Sequence, residues 1–164
     1  MHLIGPVFIL FLSFSPRRHH RYAIAADMNP TPDTCTEDEV RNLVHSFYAR
    51  IRDDDVLGPI FDAHIRDWDH HLGKMVDFWS AILRGTARYH GTPMPKHAVL
   101  PDLSAELFQR WLALFGTTAS SIGNPAMGRR ANEMAQRIAQ SLWFGYQLHR
   151  QPDVSPSKLA TTPA

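Results

Sequence analysis

Apolar residues recur at helical spacing in four stretches of the chain. The first stretch begins after Thr36, where Thr36 and Glu39 form the T-x-x-E pattern of a capping box. The apolar positions that follow have the i, i+3, i+4, i+7 spacing of one buried helix face: Val40, Leu43, Val44, Phe47, Tyr48 and Ile51. The pattern predicts a helix that ends near Asp55, because Gly58-Pro59 is expected to break it.

Three further helices are predicted after the first. The second covers about 66–84 and ends at Gly85, and the third covers about 104–121. The fourth covers 125 to about 149, with Pro125 at the favoured first helical position. The apolar stripe of the second helix contains Trp68, Leu72, Met75, Trp79 and Ile82, with Phe78 beside it. The stripe of the third contains Leu107, Phe108, Trp111, Leu112 and Phe115. With no convincing strand and no internal repeat, the pattern predicts an all-α domain.

A short segment bracketed by prolines lies between the second and third helices. Its sequence, PMPKHAVLP (93–101), permits only a very short helix or an irregular loop. His97 lies within it, and Pro95 and Pro101 on either side can hold its side chain rigidly. The alternative is an ordinary surface histidine.

The two ends of the chain differ from the middle. Residues 3–14 are apolar and the basic cluster 17–21 follows them, which is the reverse of the order in a secretory signal. The apolar run is also shorter than the roughly 20 residues of a membrane-spanning helix. We therefore interpret 1–33 as an extension outside the fold, with Met28 as a possible true start; export or membrane tethering is the alternative. Residues 150–164 are rich in Pro, Ser and Thr and predict a disordered tail, so the domain covers 34–149.

Composition narrows the class of protein. A chain of 164 residues supports one domain, and its net charge of +1 gives no reason to expect a nucleic-acid partner. Cys35 is the only cysteine, which excludes an internal disulfide and a cysteine-based metal site. We expect a cytoplasmic monomer that does not bind a membrane.

Three polar side chains project from apolar helix faces. His71 lies three residues after Trp68 and four before Met75, inside the stripe of the second helix. Tyr48 contributes a hydroxyl from the first helix, and Trp111 an indole N–H from the third. Each can be a core residue, His71 being one if it bonds to a backbone carbonyl. Together they match the usual form of a small-ligand pocket, which is mostly apolar with a few convergent donors.

His97 is a candidate ligand for a metal ion that is held by a cofactor. One histidine does not make an ordinary zinc site, but a haem iron needs only one axial histidine from the protein. From about Asp38 to Tyr146 the chain resembles the group III truncated haemoglobins. The matching stretches are FYARIRDDDVLGPIF (47–61), DWDHHLGKMVDFW (67–79), Pro-Lys-His (95–97) before LPDL, and FQRWLALF (108–115).

The resemblance implies a shortened globin in which two helices pack over two and enclose haem b. It assigns His97 as the proximal iron ligand and Tyr48, His71 and Trp111 to the distal pocket. His71 can donate a hydrogen bond, move aside to admit a ligand or bind the iron itself. The predicted haem-contacting residues are His97, Phe61, Met75, Phe78 and Trp111.

The implied function is binding of dioxygen, nitric oxide or another diatomic ligand, for nitric oxide and oxygen chemistry rather than bulk oxygen storage. One alternative is a haem enzyme with peroxidase or nitric oxide dioxygenase turnover. The sequence contains no flavin or nicotinamide domain, so any reductant must come from an unidentified reductase. The other alternative is a haem-free helical interaction module, in which these polar residues are only core.

Overall fold

The computed structural model describes residues 34–91 and 102–160, and five helices make up most of this part of the chain. They are α1 (Glu37–Arg52), α2 (Leu57–His64), α3 (Trp68–Arg84), α4 (Ala105–Ser120) and α5 (Pro125–Arg150). The described residues include no strand, which confirms the all-α prediction. The proline-bracketed segment 93–101, and His97 with it, lies outside the described residues.

Local sequence signals determine most helix ends. The capping box of α1 is present: the Glu39 amide donates to the Thr36 hydroxyl at 3.2 Å, and the Thr36 amide donates to the Glu39 carboxylate at 2.7 Å. At the other end of α3, Gly85 adopts the left-handed conformation (φ 71°) that glycine favours at a helix C-terminus. The boundaries predicted for α3 are confirmed to within two residues.

The other helix starts are capped in the same way. Side-chain oxygens of Asp67, Ser104 and Asn124 each accept a backbone amide of the following turn, at the starts of α3, α4 and α5. The predicted beginnings of the last two helices are therefore confirmed. In each case a short polar side chain supplies an acceptor for first-turn amides that have no partner within the helix.

The expectation for Gly58-Pro59 is wrong. Helix α1 ends at Arg52, and the dipeptide lies in the first turn of α2, a helix that the apolar pattern did not reveal. A proline is tolerated there because first-turn amides have no partner within the helix. The Asp54 carboxylate accepts the Val56 and Leu57 amides at 3.1 and 2.9 Å and so starts the new helix.

Gly58 is required by the tight connection between α1 and α2. A Cβ atom at Gly58 would lie 2.7 Å from the carbonyl oxygen of Arg52, so a larger residue would push the two helices apart. In the same connection, the Arg110 Nε–H donates to both oxygens of the Asp54 carboxylate, at 2.7 and 2.9 Å. This pairing lowers the pKa of Asp54 and links the connection to α4.

The helices pack as two pairs around one core. Helix α1 packs on α3, α4 packs along α5, and α1 joins the pairs through its contact with α4. Gly128 permits the close approach of α4 and α5, because a Cβ atom there would lie 2.3 Å from the Ala119 carbonyl oxygen. The predicted apolar face of α4 is fully buried only in its C-terminal half, at Phe115 and beyond, while Trp111 is partly buried.

The C-terminal segment 151–160, part of the predicted disordered tail, packs against α5. The Ser157 and Leu159 amides each donate at 2.9 Å to a glutamine side chain of α5, Gln147 and Gln140 respectively. The Leu159 side chain is buried. Two glutamine acceptors and one buried leucine therefore hold this segment against α5, a combination that its polar composition did not indicate.

Within the described ranges, no helix is long and apolar enough to span a membrane.

Candidate functional site

His71 lies in the first turns of α3 with only 2% of its surface exposed. Burial, with smaller electrostatic contributions from the neighbouring Lys74 and His70, lowers the pKa of its imidazole to about 4. The ring is therefore uncharged at neutral pH. A neutral imidazole offers one N–H donor and one nitrogen acceptor.

Neither ring nitrogen of His71 has a hydrogen-bond partner within the described part of the chain. Buried polar atoms are nearly always paired in folded proteins, and leaving one unpaired costs on the order of 1–3 kcal/mol. Among the described residues, then, the backbone carbonyl required by the core-histidine alternative is missing. Two unpaired ring nitrogens are the arrangement that a ligand-binding histidine requires.

Two aromatic rings, one from α1 and one from α3, contact His71, and a third ring from α2 packs behind the first. The Tyr48 ring on α1 meets that of His71 edge-on at 4.9 Å between centroids, and the Trp68 ring does so at 5.8 Å. Phe61 on α2 meets Tyr48 at 6.1 Å. We call Tyr48, Phe61, Trp68 and His71 the distal cluster. Of the predicted site residues, the structure thus brings together Tyr48, Phe61 and His71.

Tyr48 supplies the second polar group of the distal cluster. Its side chain is buried, and this burial raises the pKa of the hydroxyl, with a smaller contribution from Tyr89. The hydroxyl therefore remains protonated and can donate at any physiological pH. A neutral tyrosine and a neutral histidine face each other in an apolar enclosure without a formal charge on either ring.

Trp111 is joined to the distal cluster through a phenylalanine. Phe47 lies between the two, with its ring 5.0 Å from Tyr48 and 5.1 Å from Trp111. Trp111 also stacks on Phe115 at 5.3 Å. The packing of α4 on α1 therefore determines where the Trp111 indole lies relative to Tyr48.

The two remaining predicted haem contacts lie further along α3. Met75 is buried one turn after His71 in the same core. Phe78 is buried near the end of the helix, where its ring meets Tyr89 at 5.2 Å. Their proposed contact with a cofactor stays a prediction, as does the role of His97.

Sequence reasoning overlooked Trp68 and Phe47 as site residues. Both were assigned only to apolar stripes, although Trp68 contacts His71 directly and Phe47 links Tyr48 to Trp111. The available signal was position, because Trp68 precedes His71 by three residues on one helix face.

No group of three or more His, Cys, Asp or Glu side chains able to hold a metal ion occurs in ranges 34–91 and 102–160.

Comparison with known proteins identifies the family. The model of the bacterial-like globins matches residues 35–142. A group 3 truncated hemoglobin from Campylobacter jejuni, named ctb, is 33% identical over 124 residues, which cover 71% of this chain and 98% of the relative. The crystal structure of a group III truncated hemoglobin from Campylobacter jejuni matches with a TM-score of 0.62 and 33% identity, covering 67% of this chain and 90% of that one. The chain therefore belongs to the bacterial-like globin family, and this membership implies a haem cofactor and binding of diatomic ligands.

Proposed function

We propose that this globin binds haem b with His97 as the proximal ligand and holds a diatomic ligand on the opposite side, among Tyr48, His71 and Trp111. Phe61, Met75 and Phe78 are the further residues that would contact the haem. Family membership supports the cofactor. The resemblance of the Pro-Lys-His stretch at 95–97 supports the proximal assignment.

One observation carries the distal part of the proposal. His71 is buried, uncharged and unpaired at both ring nitrogens among the described residues, and the Tyr48 ring lies 4.9 Å away. This donor set fits the distal side of a haem, where a small ligand requires hydrogen-bond donors in an otherwise apolar enclosure. It does not fit a site for a bare metal ion, which needs several ligands.

The cofactor, when bound, would supply an iron coordination position for dioxygen, nitric oxide or a similar ligand. The Tyr48 hydroxyl and the His71 N–H would donate to the ligand's outer atom, and the Trp111 N–H is the third candidate donor. A neutral hydrogen bond contributes about 1 kcal/mol and one to a charged group about 1.5–3 kcal/mol, so two donors slow ligand release by tenfold or more. The aromatic rings exclude water from the same space.

Slow release is better suited to nitric oxide and oxygen chemistry than to bulk oxygen storage. A storage protein must release its ligand, whereas a protein that catalyses a reaction of the bound ligand benefits from slow release. The electrons for repeated turnover would come from a separate reductase. Protein in a solution that contains excess dioxygen, nitric oxide, a reductase and reduced nicotinamide should then form nitrate over many cycles; a single cycle per haem would contradict turnover.

The absorption spectrum of the purified protein tests the proposal directly. We expect a Soret band after haem addition, and loss of the ferrous five-coordinate spectrum in His97→Ala. His90→Ala is the matched control, since His90 is an exposed histidine close by in the sequence. Absence of a Soret band in the wild type would refute haem binding. An unchanged spectrum in His97→Ala would refute the proximal assignment alone.

A further inference from the structure

Trp68 is the member of the distal cluster that reaches the protein surface. It is the first residue of α3, and its side chain is partly buried. Its ring centre lies 6.0 Å from that of Tyr48 and 5.8 Å from that of His71, and it meets both edge-on. Because Tyr48 and His71 are buried while Trp68 is partly exposed, the indole forms the outer layer of this side of the cluster.

Two charged side chains hold the indole from outside. Its N–H donates to the Asp62 carboxylate at 3.1 Å, and the Arg52 guanidinium carbon lies 5.0 Å from the ring centre. Both charged residues are exposed. Arg52 is the last residue of α1 and Asp62 belongs to α2, so three helices determine the position of one ring. Contacts of these two kinds are each favourable, the charge-assisted hydrogen bond more so.

We infer that Trp68 is a positioning residue that covers His71 and controls how fast diatomic ligands and water pass it. This inference rests on the proposed function for the identity of the ligand. A gas molecule entering along the His71 side requires the indole to move, and that movement breaks the Asp62 hydrogen bond and the Arg52 contact. These two surface contacts therefore set the fraction of time for which the distal cluster is open.

Chemical labelling of His71 tests the covering role without reference to ligand binding. The purified full-length protein is treated with diethyl pyrocarbonate near neutral pH, and modified histidines are located by peptide mass spectrometry. Exposed His45 is the internal reference. We expect His71 to be protected in the wild type and its labelling rate, relative to His45, to rise about tenfold or more in Trp68→Ala.

Two milder variants separate the hydrogen bond from the bulk of the ring. Trp68→Phe keeps an aromatic ring against His71 but cannot donate to Asp62, and Asp62→Ala removes the acceptor. Each should raise His71 labelling less than Trp68→Ala does. Adding Asp62→Ala to Trp68→Phe should cause no further rise in His71 labelling, because the hydrogen bond is already lost in Trp68→Phe. Trp143→Phe is the matched control, since Trp143 packs instead with Phe108 and Tyr146.

Carbon monoxide recombination after flash photolysis tests the control of entry. The bimolecular association rate constant should rise about tenfold in Trp68→Ala, rise less in Asp62→Ala and stay unchanged in Trp143→Phe. Far-ultraviolet circular dichroism establishes that each variant is folded. Should Trp68→Ala fail to fold, Asp62→Ala and Trp68→Phe decide the question.

The outcomes separate this inference from the proposed function. Folded Trp68 variants with wild-type His71 labelling would overturn the covering role, and faster labelling with an unchanged association rate would overturn the control of entry. A protein that takes up no haem would refute the proposed function. In that case the labelling experiment would still confirm or overturn the cover over His71.

Discussion

The two ends of the contact between α1 and α3 differ in whether their buried polar groups have hydrogen-bond partners. At the end near the start of α1, the Glu37 carboxylate accepts hydrogen bonds from Arg84, Arg88 and the fully buried Ser80 hydroxyl. At the other end lies the distal cluster, where His71 is just as buried but has no partner among the described residues. Glu37, Ser80 and Arg84, which hold the two helices together, are paired, whereas His71, to which we assign ligand binding, has no described partner.

This contrast has an energetic reason. Paired polar groups add a modest net stability and connect distant parts of the chain, as Glu37 does for α1 and α3. An unpaired buried imidazole lowers stability, and a protein retains such a group when function requires it. The predictions below concern these two ends, which we call the paired end (Glu37, Ser80, Arg84 and Arg88) and the distal cluster.

The largest expected effect is the pH dependence contributed by His71. Its folded-state pKa of about 4 lies below the ordinary value of 6.5, so the unfolded chain binds a proton first as the pH falls. The free energy of unfolding should therefore drop by about 3 kcal/mol between pH 6.5 and pH 4 through this residue alone. Urea unfolding at several pH values, compared between wild type and His71→Leu, isolates the contribution. His45→Leu, which alters an exposed histidine, should retain the wild-type dependence.

At the paired end, Glu37→Gln should lower the free energy of unfolding by about 2 kcal/mol. The substitution removes the charge that pairs with the half-buried Arg84 and weakens the acceptor of the buried Ser80 hydroxyl. Denaturant unfolding at pH 7 measures the change. Asp38→Asn is the control, because Asp38 is the exposed acidic neighbour in the same helical turn. Equal effects of the two substitutions would contradict the importance of pairing at this end.

In the distal cluster, His71→Leu should not lower stability at pH 7, unlike Glu37→Gln at the paired end. Replacing an unpaired buried polar ring with an apolar side chain is expected to leave stability unchanged or to raise it by about 1 kcal/mol. The same substitution should accelerate dioxygen dissociation about tenfold, since one donor is lost. Denaturant unfolding and stopped-flow dissociation measure the two effects. A loss of stability as large as that of Glu37→Gln would break the contrast between the two ends.

Tyr48→Phe sharpens the same point with a smaller structural change. The ring contacts with Phe61, Trp68 and His71 are retained, and only the hydroxyl is removed. Stability should change by less than about 1 kcal/mol, while dioxygen dissociation should accelerate by about tenfold. Wild-type dissociation in this variant would exclude the hydroxyl as a ligand donor.

The smallest expected effect distinguishes the two arginines of the paired end. Arg88 is about half exposed (49%), whereas Arg84 is less so (27%) and also donates to the Cys35 carbonyl oxygen at 3.1 Å. Arg88→Gln should therefore cost about 0.5 kcal/mol, the usual range for a surface ion pair, and Arg84→Gln more. Thermal unfolding measures both variants. A larger loss of stability in Arg88→Gln than in Arg84→Gln would contradict the link between the burial of an ion pair and its contribution to stability.

Local patterns in the sequence predicted much of the fold. The capping box at Thr36, the proline at the start of α5 and the glycine after α3 were all readable, because each signal acts within one helical turn. Helix α2 was missed because Gly58-Pro59 usually interrupts a helix. Here the Asp54 carboxylate accepts the first amide of the new helix, and Gly58 fits against the Arg52 carbonyl. Similarly, a polar composition at 151–160 concealed one buried leucine and two glutamine contacts.

The sequence by itself determined that His71 and Tyr48 lie on apolar helix faces, since helical periodicity alone places them there. It also carried the family resemblance that the comparisons confirm. Only the tertiary structure decided that these two rings meet, that no described group pairs with the His71 imidazole and that Trp68 covers it under the contacts of Arg52 and Asp62. Those facts depend on how α1, α2 and α3 pack, and contacts between separate helices leave no periodic signal in any one of them.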